Sequence, residues 1–240
     1  PTYDLTLDNL KTTFQLMDYP KALLNSLMVN VISSFLQVAI CAFTSYGFAR
    51  FEFKGKNILF GLVLLTVLVP PQVIITPSFL TYKTLGLVNT YWTFYLPAIF
   101  GAGIKSGLFI FIFRQFFRGL PKELEEAALI DGAGFAGTFF RVMLPSARPI
   151  LTVIFLFSSV WQWTDIFYTS WFVPKLNTLS MQLNSLAYTV MDKENISLDQ
   201  YYANQISAAG CLLAILPLIV LYVLMQRQFI EGIERSGIVG

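Results

Sequence analysis

Two charged side chains, Lys105 and Asp165, stand inside long apolar stretches, where a charge often marks a functional site. An acid–base pair would need both groups at one depth. At 1.5 Å of rise per residue, Lys105 is roughly 13 Å from Arg114 and Asp165 roughly 25 Å from Arg148 along a helix. These depths do not match, and the sequence contains no histidine for a triad or a metal site. We therefore expect neither a catalytic residue nor a metal ligand set.

Aromatic and polar side chains surround Asp165 in the sequence. Rings that stack on sugars, together with groups that bind hydroxyls, are typical of a saccharide site. The candidate lining of a substrate path is Lys105, Trp161, Gln162, Trp163, Asp165 and Tyr168. Two other interpretations stay open, because the cluster also fits an aromatic belt at a membrane surface and Lys105 also fits an ion pair with another subunit.

A third pattern lies in the segment 115–147. Pro121 followed by three glutamates predicts the start of a short helix, because proline suits the first turn and carboxylates suit the positive end of the helix dipole. Gly132 would end that helix, and a second short helix would end near Leu144 and Pro145. Its many alanines would let the backbone of a partner approach closely. A hairpin resting on lipid is the alternative.

The composition places these patterns in a membrane protein. Apolar residues make up 55% of the 240 residues and charged residues only 12%, whereas a soluble domain has about 25% charged residues. Such a chain has too few polar groups to cover its surface in water, so we expect membrane lipid to surround it. A net charge of +2 without a basic patch also excludes nucleic acid as a partner.

Apolar windows long enough to cross a bilayer predict an all-α polytopic transmembrane bundle with five spans. Three windows without charge are bounded by Lys21 and Arg50, by Lys56 and Lys83, and by Asp199 and Arg227. Two more, about 91–113 and 149–172, are interrupted only by Lys105 and Asp165. Pro70 and Pro71 predict a kink in the second window.

The distribution of arginine predicts the orientation of these spans. Every arginine falls in the connections after the first window, around the segment 115–147, or in the C-terminal tail. Because cytoplasmic loops carry the excess of Lys and Arg, these segments are predicted to be cytoplasmic. The start of the chain, the region of Lys83 and the segment 175–199 would then lie outside.

The segment 115–147 resembles the signature of the membrane permeases of binding-protein-dependent ABC importers. Glu126-Ala127-Ala128 is followed by Gly132 and by Leu144-Pro145 at the spacing of that family, and Val142 replaces its usual isoleucine. The likeness runs from Leu24 to the tail and is greatest to the sugar-importing type, similar to the smaller maltose-system permease. That type usually has six spans, so the resemblance implies that a first N-terminal span is missing from this sequence.

The resemblance implies one transmembrane permease domain, 1–240, in the bacterial inner membrane, with 115–147 as a cytoplasmic coupling loop. The loop would seat on an ATPase subunit, with Glu126 as the charged anchor. The coupling residues that it implies are Glu125, Glu126, Ala127, Ala128, Asp131, Gly132, Leu144 and Pro145. The chain has no phosphate-binding loop, so ATP and Mg would belong to the ATPase and this chain would bind no cofactor.

The implied partners are a second homologous permease, two ATPase subunits, an extracytoplasmic solute-binding protein and an oligosaccharide. An importer for an acidic sugar such as a uronate oligomer, with Lys105 on its path, or for another non-sugar solute is an alternative. An ion-coupled carrier is a further one. It would show repeated halves and paired carboxylates within the membrane, and the apolar windows hold only Asp165.

Overall fold

The computed structural model describes residues 7–193 and 200–237, and the regular structure within these ranges is entirely helical, which confirms the all-α prediction. The helices are α1 (Asp8–Leu16), α2 (Tyr19–Arg50), α3 (Lys56–Leu68), α4 (Pro71–Thr84), α5 (Trp92–Ile99), α6 (Ser106–Gly119), α7 (Glu123–Ile130), α8 (Phe135–Ser146), α9 (Arg148–Trp163), α10 (Phe167–Phe172), α11 (Leu179–Lys193) and α12 (Gln200–Gly237).

Helix α2 lies at the centre of the bundle, in contact with α5, α6 and α9. Its largest contact is with α6, whose Phe109, Phe113 and Phe117 are fully buried. These residues recur every fourth position and so form one face of α6. Burying three aromatic rings on that face stabilises the α2–α6 pair, from whose far end α7 and α8 project.

The predicted spans are only partly continuous helices. Within the described ranges, two helices are long and apolar enough to cross a membrane, α2 and the segment Tyr201–Gln228 of α12. Two bent pairs bring the count to at most four. The pair α3 and α4 is bent by 100° after Leu68, which confirms the kink predicted from Pro70 and Pro71. The pair α8 and α9 is bent by 78°.

Two of the other predicted windows are also not single helices. The window 91–113 contains α5 and α6 rather than one helix, because Gly101 (φ +66°) and Lys105 (φ +62°) adopt left-handed backbone conformations that a right-handed helix does not accommodate. In the window 149–172, α9 ends at Trp163 and α10 begins at Phe167. Lys105 and Asp165 thus both lie at helix breaks, not within continuous helices.

Candidate functional site

The segment 115–147 folds as predicted into two short helices joined at a glycine, although residues 115–119 still belong to α6. We refer to α7, the turn and α8 as the α7–α8 hairpin. Gly132 has φ +78° and its N–H donates to the Leu129 carbonyl at 3.0 Å, while the Ala133 N–H donates to the Ala128 carbonyl at 2.9 Å. This pair of hydrogen bonds closes a helix end that favours glycine. Gly132 therefore sets the turn between α7 and α8.

Helix α7 has an outward and an inward face. On the outward face the apolar side chains of Leu129 and Ile130 are 61% and 86% exposed. The polar neighbours and the small residues exposed with them are Glu126, Ala127, Asp131 and Gly132. Ala128 is only 6% exposed, because successive helix positions are about 100° apart and it faces the bundle. The two alanines of the signature thus lie on different faces.

Glu125 on the inward face ties α7 to the end of α2. Arg50 Nε lies 3.3 Å from Glu125 Oε1, and these side chains are 8% and 18% exposed. The Arg50 Nη2 group also donates to the Leu120 carbonyl at 2.6 Å. A pair this shielded from water is far more sensitive to the loss of one partner than an exposed pair. Sequence reasoning missed Arg50, although it is the charge that ends the first apolar window.

Aromatic packing holds the second helix of the hairpin. Phe135 stacks on Tyr46 of α2 with ring centroids 5.4 Å apart, and Phe139 lies 5.3 Å from the same tyrosine ring. Leu144 packs against the buried core, and Pro145 beside it is half-buried. The predicted coupling residues therefore separate into an outward group around Glu126 and an inward group that includes Glu125, Ala128 and Leu144.

A polar cluster joins α2 to α9 inside the bundle. Ser158 Oγ lies 3.1 Å from Ser34 Oγ and 2.9 Å from Gln37 Oε1. The Gln162 amide donates to Ser34 Oγ at 3.2 Å. All four side chains are buried. Uncharged polar groups that pair in this way connect helices within a membrane.

The amide of Gln37 also reaches the break between α5 and α6. Its Nε2 donates to the Ile104 carbonyl and to Ser106 Oγ, the latter at 2.8 Å. Residues in left-handed conformation leave backbone groups that a helix would have paired. Gln37 therefore connects the interior of α2 with the irregular segment that precedes α6.

A cavity of about 350 Å³ opens beside this cluster, and its lining includes Ser33, Gln37, Tyr82, Gln162 and Tyr168. The hydroxyl of Ser33 is buried and has no hydrogen-bond partner within the described ranges. Amides, hydroxyls and aromatic rings around one cavity suit a ligand rich in hydroxyl groups. The predicted path residues Gln162 and Tyr168 meet here.

Lys105 lies at a neighbouring cavity of about 390 Å³, which shares Tyr168 with the first. Its Nζ stands 5.9 Å from the centre of the Trp161 ring. An ammonium group at this distance from an indole is stabilised by the ring quadrupole. Lys105 and Trp161 therefore form one pair, separate from the α2–α9 cluster.

Trp163 and Asp165 make structural contacts instead. Trp163 Nε1 donates to the Ala214 carbonyl of α12 at 2.9 Å. Asp165 accepts hydrogen bonds from the backbone N–H groups of Tyr168 at 3.2 Å and Thr169 at 2.8 Å. Carboxylates commonly satisfy the free N–H groups at a helix start in this way. Asp165 thus explains where α10 begins, and neither side chain lines the two cavities described above.

Sequence reasoning missed Ser34, Gln37 and Ser158. A signal was present, because Ser34 and Gln37 are three positions apart in an apolar helix and Ser158 and Gln162 are four apart in another. Such spacings place side chains on one face, so each helix carries a polar stripe. The stripes alone did not reveal that they face each other.

The chain is similar to known proteins. Residues 24–235 match the family described as binding-protein-dependent transport system inner membrane component. The chain is 32% identical over 217 residues to the arabinooligosaccharides transport system permease protein AraQ of Halalkalibacterium halodurans, covering 90% of this chain and 73% of AraQ. It is 30% identical over 240 residues to the maltodextrin transport system permease protein MdxG of Bacillus subtilis, covering 98% and 81%.

The fold also matches a solved structure, that of a bacterial ABC transporter involved in the import of the acidic polysaccharide alginate. The TM-score is 0.71 at 18% identity, over 94% of this chain and 80% of the other. A likeness at this identity supports the fold alone. The family match covers most of the sequence, and its members are transport permeases rather than enzymes. The chain therefore belongs to the family of inner membrane components of binding-protein-dependent transport systems.

Proposed function

We propose that this chain is a permease subunit of an ATP-driven oligosaccharide importer and that the outward face of α7 docks on an ATPase subunit at the cytoplasmic surface. The observation that carries this proposal is the exposure of Leu129 and Ile130, at 61% and 86%, between Glu126 and Asp131. Apolar side chains gathered at the tip of a projecting hairpin, with charges beside them, are typical of a protein contact. ATP and Mg would be held by that ATPase.

The inward contacts of the hairpin would transmit its movement to the bundle. The Arg50–Glu125 pair and the Tyr46–Phe135 stack both end on α2. The same helix carries Gln37 at the cavity. A displacement of the hairpin by the ATPase would thus reach the proposed substrate path through one helix, as rigid elements transmit motion between sites.

The cavity favours a neutral, hydroxyl-rich substrate. Among the residues that the structure describes, no charged side chain lines the 350 Å³ cavity, whose lining includes Gln37, Gln162, Tyr82 and Tyr168. We propose that this cavity is part of an oligosaccharide path, in line with the sugars named for AraQ and MdxG. Lys105 would border the neighbouring 390 Å³ cavity, with Trp161 beside it. A second permease, two ATPases and a solute-binding protein would complete the importer, with the C-terminus of this chain in the cytoplasm.

Cysteine cross-linking tests the docking face with two adjacent, matched positions. In a Cys211→Ser background, which removes the exposed native thiol, Ala127→Cys should cross-link to a cysteine placed on the ATPase surface. Ala128→Cys should react much less, because Ala128 is only 6% exposed. Both complexes would be compared by gel after oxidation. Equal cross-linking, or none from Ala127→Cys with every ATPase position, would contradict the docking assignment.

The substrate class is tested with the complete complex and its binding protein in proteoliposomes. Neutral arabino- or malto-oligosaccharides should stimulate ATP hydrolysis and enter the vesicles, because the cavity lining is uncharged. Uronate oligomers should do neither. Stimulation by the uronates alone would overturn the assignment of a neutral sugar and leave the docking face unaffected.

A further inference from the structure

A cationic cavity lies where the end of α2, the start of α3 and the end of α6 meet. Its volume is about 480 Å³, and its lining is strongly polar. Five cations and one carboxylate are among the lining residues, which are Ala49, Arg50, Glu52, Lys56, Asn57, Arg114, Arg118 and Lys122. Charges of one sign that converge from three segments create a positive potential suited to an anion.

In the described part of the chain, carboxylates neutralise two of these five cations. Arg50 pairs with Glu125, and Lys56 Nζ lies 2.9 Å from Glu52 Oε1. Within the described ranges no carboxylate lies within 4.0 Å of the remaining three, which are Arg114, Arg118 and Lys122. The cavity therefore has unbalanced positive charge.

The cations of the cavity also act on the one carboxylate in its described lining. The hydrogen bond from Lys56 lowers the pKa of the Glu52 carboxyl, and the charges of Arg118 and Lys122 lower it further. Arg114 is held in place, because its guanidinium lies 4.0 Å from the centre of the Phe60 ring and its Nε donates to the Phe48 carbonyl at 3.3 Å. One cation is thus fixed at the wall, while Arg118 and Lys122 are exposed at the rim.

The surface beside the cavity is apolar. From its first turns α3 exposes Ile58 at 73%, Leu59 at 48%, Leu62 at 53% and Leu65 at 53%. A free anion would gain nothing from these side chains. A molecule with an anionic head and hydrocarbon tails would match both surfaces, since basic pockets between membrane helices at the cytoplasmic side bind acidic headgroups.

We propose that this cavity binds the phosphodiester headgroup of an anionic phospholipid, with Arg114, Arg118 and Lys122 around the phosphate and the acyl chains along α3. The site goes beyond importer function and does not require that α7 docks on an ATPase. Arg50 lines the cavity and also pairs with Glu125. The lipid headgroup would therefore lie beside the ion pair that holds the hairpin.

The test titrates fluorescent phosphatidylglycerol into the complete complex in phosphatidylcholine nanodiscs. The double variant Arg118→Gln/Lys122→Gln should weaken binding, by roughly fivefold for each cation removed. The control Lys54→Gln/Arg148→Gln removes two exposed cations outside the cavity and should bind as the unaltered complex does. An equal loss in both variants would reveal a nonspecific surface effect and overturn the proposal. If the double variant does not assemble, Lys122→Gln is compared with Lys54→Gln.

Two further experiments distinguish a bound lipid from free phosphate and from a protein surface. Inorganic phosphate, titrated into the same nanodiscs, should displace the labelled lipid poorly, because it has no contact with the apolar face of α3. Displacement by phosphate at the concentrations at which the lipid binds would overturn the lipid assignment. So would binding that is present in the isolated permeases and disappears when the ATPase subunits are added, since a protein surface would then fill the cavity.

Discussion

The α7–α8 hairpin and the α2–α9 polar cluster differ in which kinds of side chain they bury and which they expose. The hairpin buries its charged contact, Arg50 with Glu125, and exposes Leu129 and Ile130. The cluster has no charge and satisfies its amides and hydroxyls between two helices, for example Gln37 with Ser158. The exposed apolar groups of the hairpin fit the contact with a partner that we propose, whereas polar groups paired between two helices hold those helices together.

The two regions are connected by α2, which carries Arg50 at its end and Gln37 about 20 Å away along its axis. If the contrast is correct, loss of the Arg50–Glu125 ion pair should weaken the hairpin, and loss of the Gln37 amide should weaken the cluster. Each of these two contacts can be removed by a separate substitution. The following variants are ordered from the largest expected effect to the smallest.

Glu125→Gln should lower the stability of the complex by about 3 kcal/mol, because it leaves the Arg50 guanidinium without its partner in a place only 8% exposed. Glu123→Gln, in the same helix but exposed, is the control and should have almost no effect. Thermal unfolding in detergent measures both. The double variant Arg50→Met/Glu125→Met should recover most of the loss. Equal stability of Glu125→Gln and Glu123→Gln would show that the pair does not hold the hairpin.

Gln37→Leu should destabilise the bundle by about 2 kcal/mol, because the Ile104 carbonyl, Ser106 and Ser158 would each lose a hydrogen bond in a buried setting. The control is Gln72→Leu, an identical change at an exposed position of α4. Unfolding in detergent is the measurement. Cross-linking of Ala127→Cys should be retained, since the hairpin contacts are elsewhere. Loss of that cross-link in folded complex would contradict the separation of the two regions.

Gly132→Ala should cost about 1 kcal/mol, because an L side chain is strained at φ +78° although nothing lies within 4 Å of the added Cβ. The control is Gly134→Ala in the same turn, where φ is −71° and the Cβ is equally unobstructed. The ratio of sugar transported to ATP hydrolysed should fall only for Gly132→Ala if the turn angle sets docking. Similar ratios for both variants would show that the backbone conformation of Gly132 is not needed for coupling.

Local signals predicted the hairpin well. The glutamates after Pro121, the glycine at 132 and the end near Pro145 act through their own backbone and immediate neighbours, and the helices begin and end close to them. The bend between α3 and α4 follows in the same way from Pro70 and Pro71. The helix breaks at Lys105 and Asp165 were not predicted, because hydropathy measures apolarity over a window and does not register a left-handed residue or a capped helix start.

The sequence by itself determined that the chain is a helical membrane protein, that its second apolar window bends, and which segment carries the Glu-Ala-Ala signature. These properties depend on composition and on residues a few positions apart. Only the tertiary structure decided that Arg50 pairs with Glu125, that Gln37 meets Ser158 and Gln162, and that Ala127 faces outward while Ala128 is buried. Such pairings join residues far apart in the chain, and they are fixed by how helices pack against one another rather than by the preferences of any one helix.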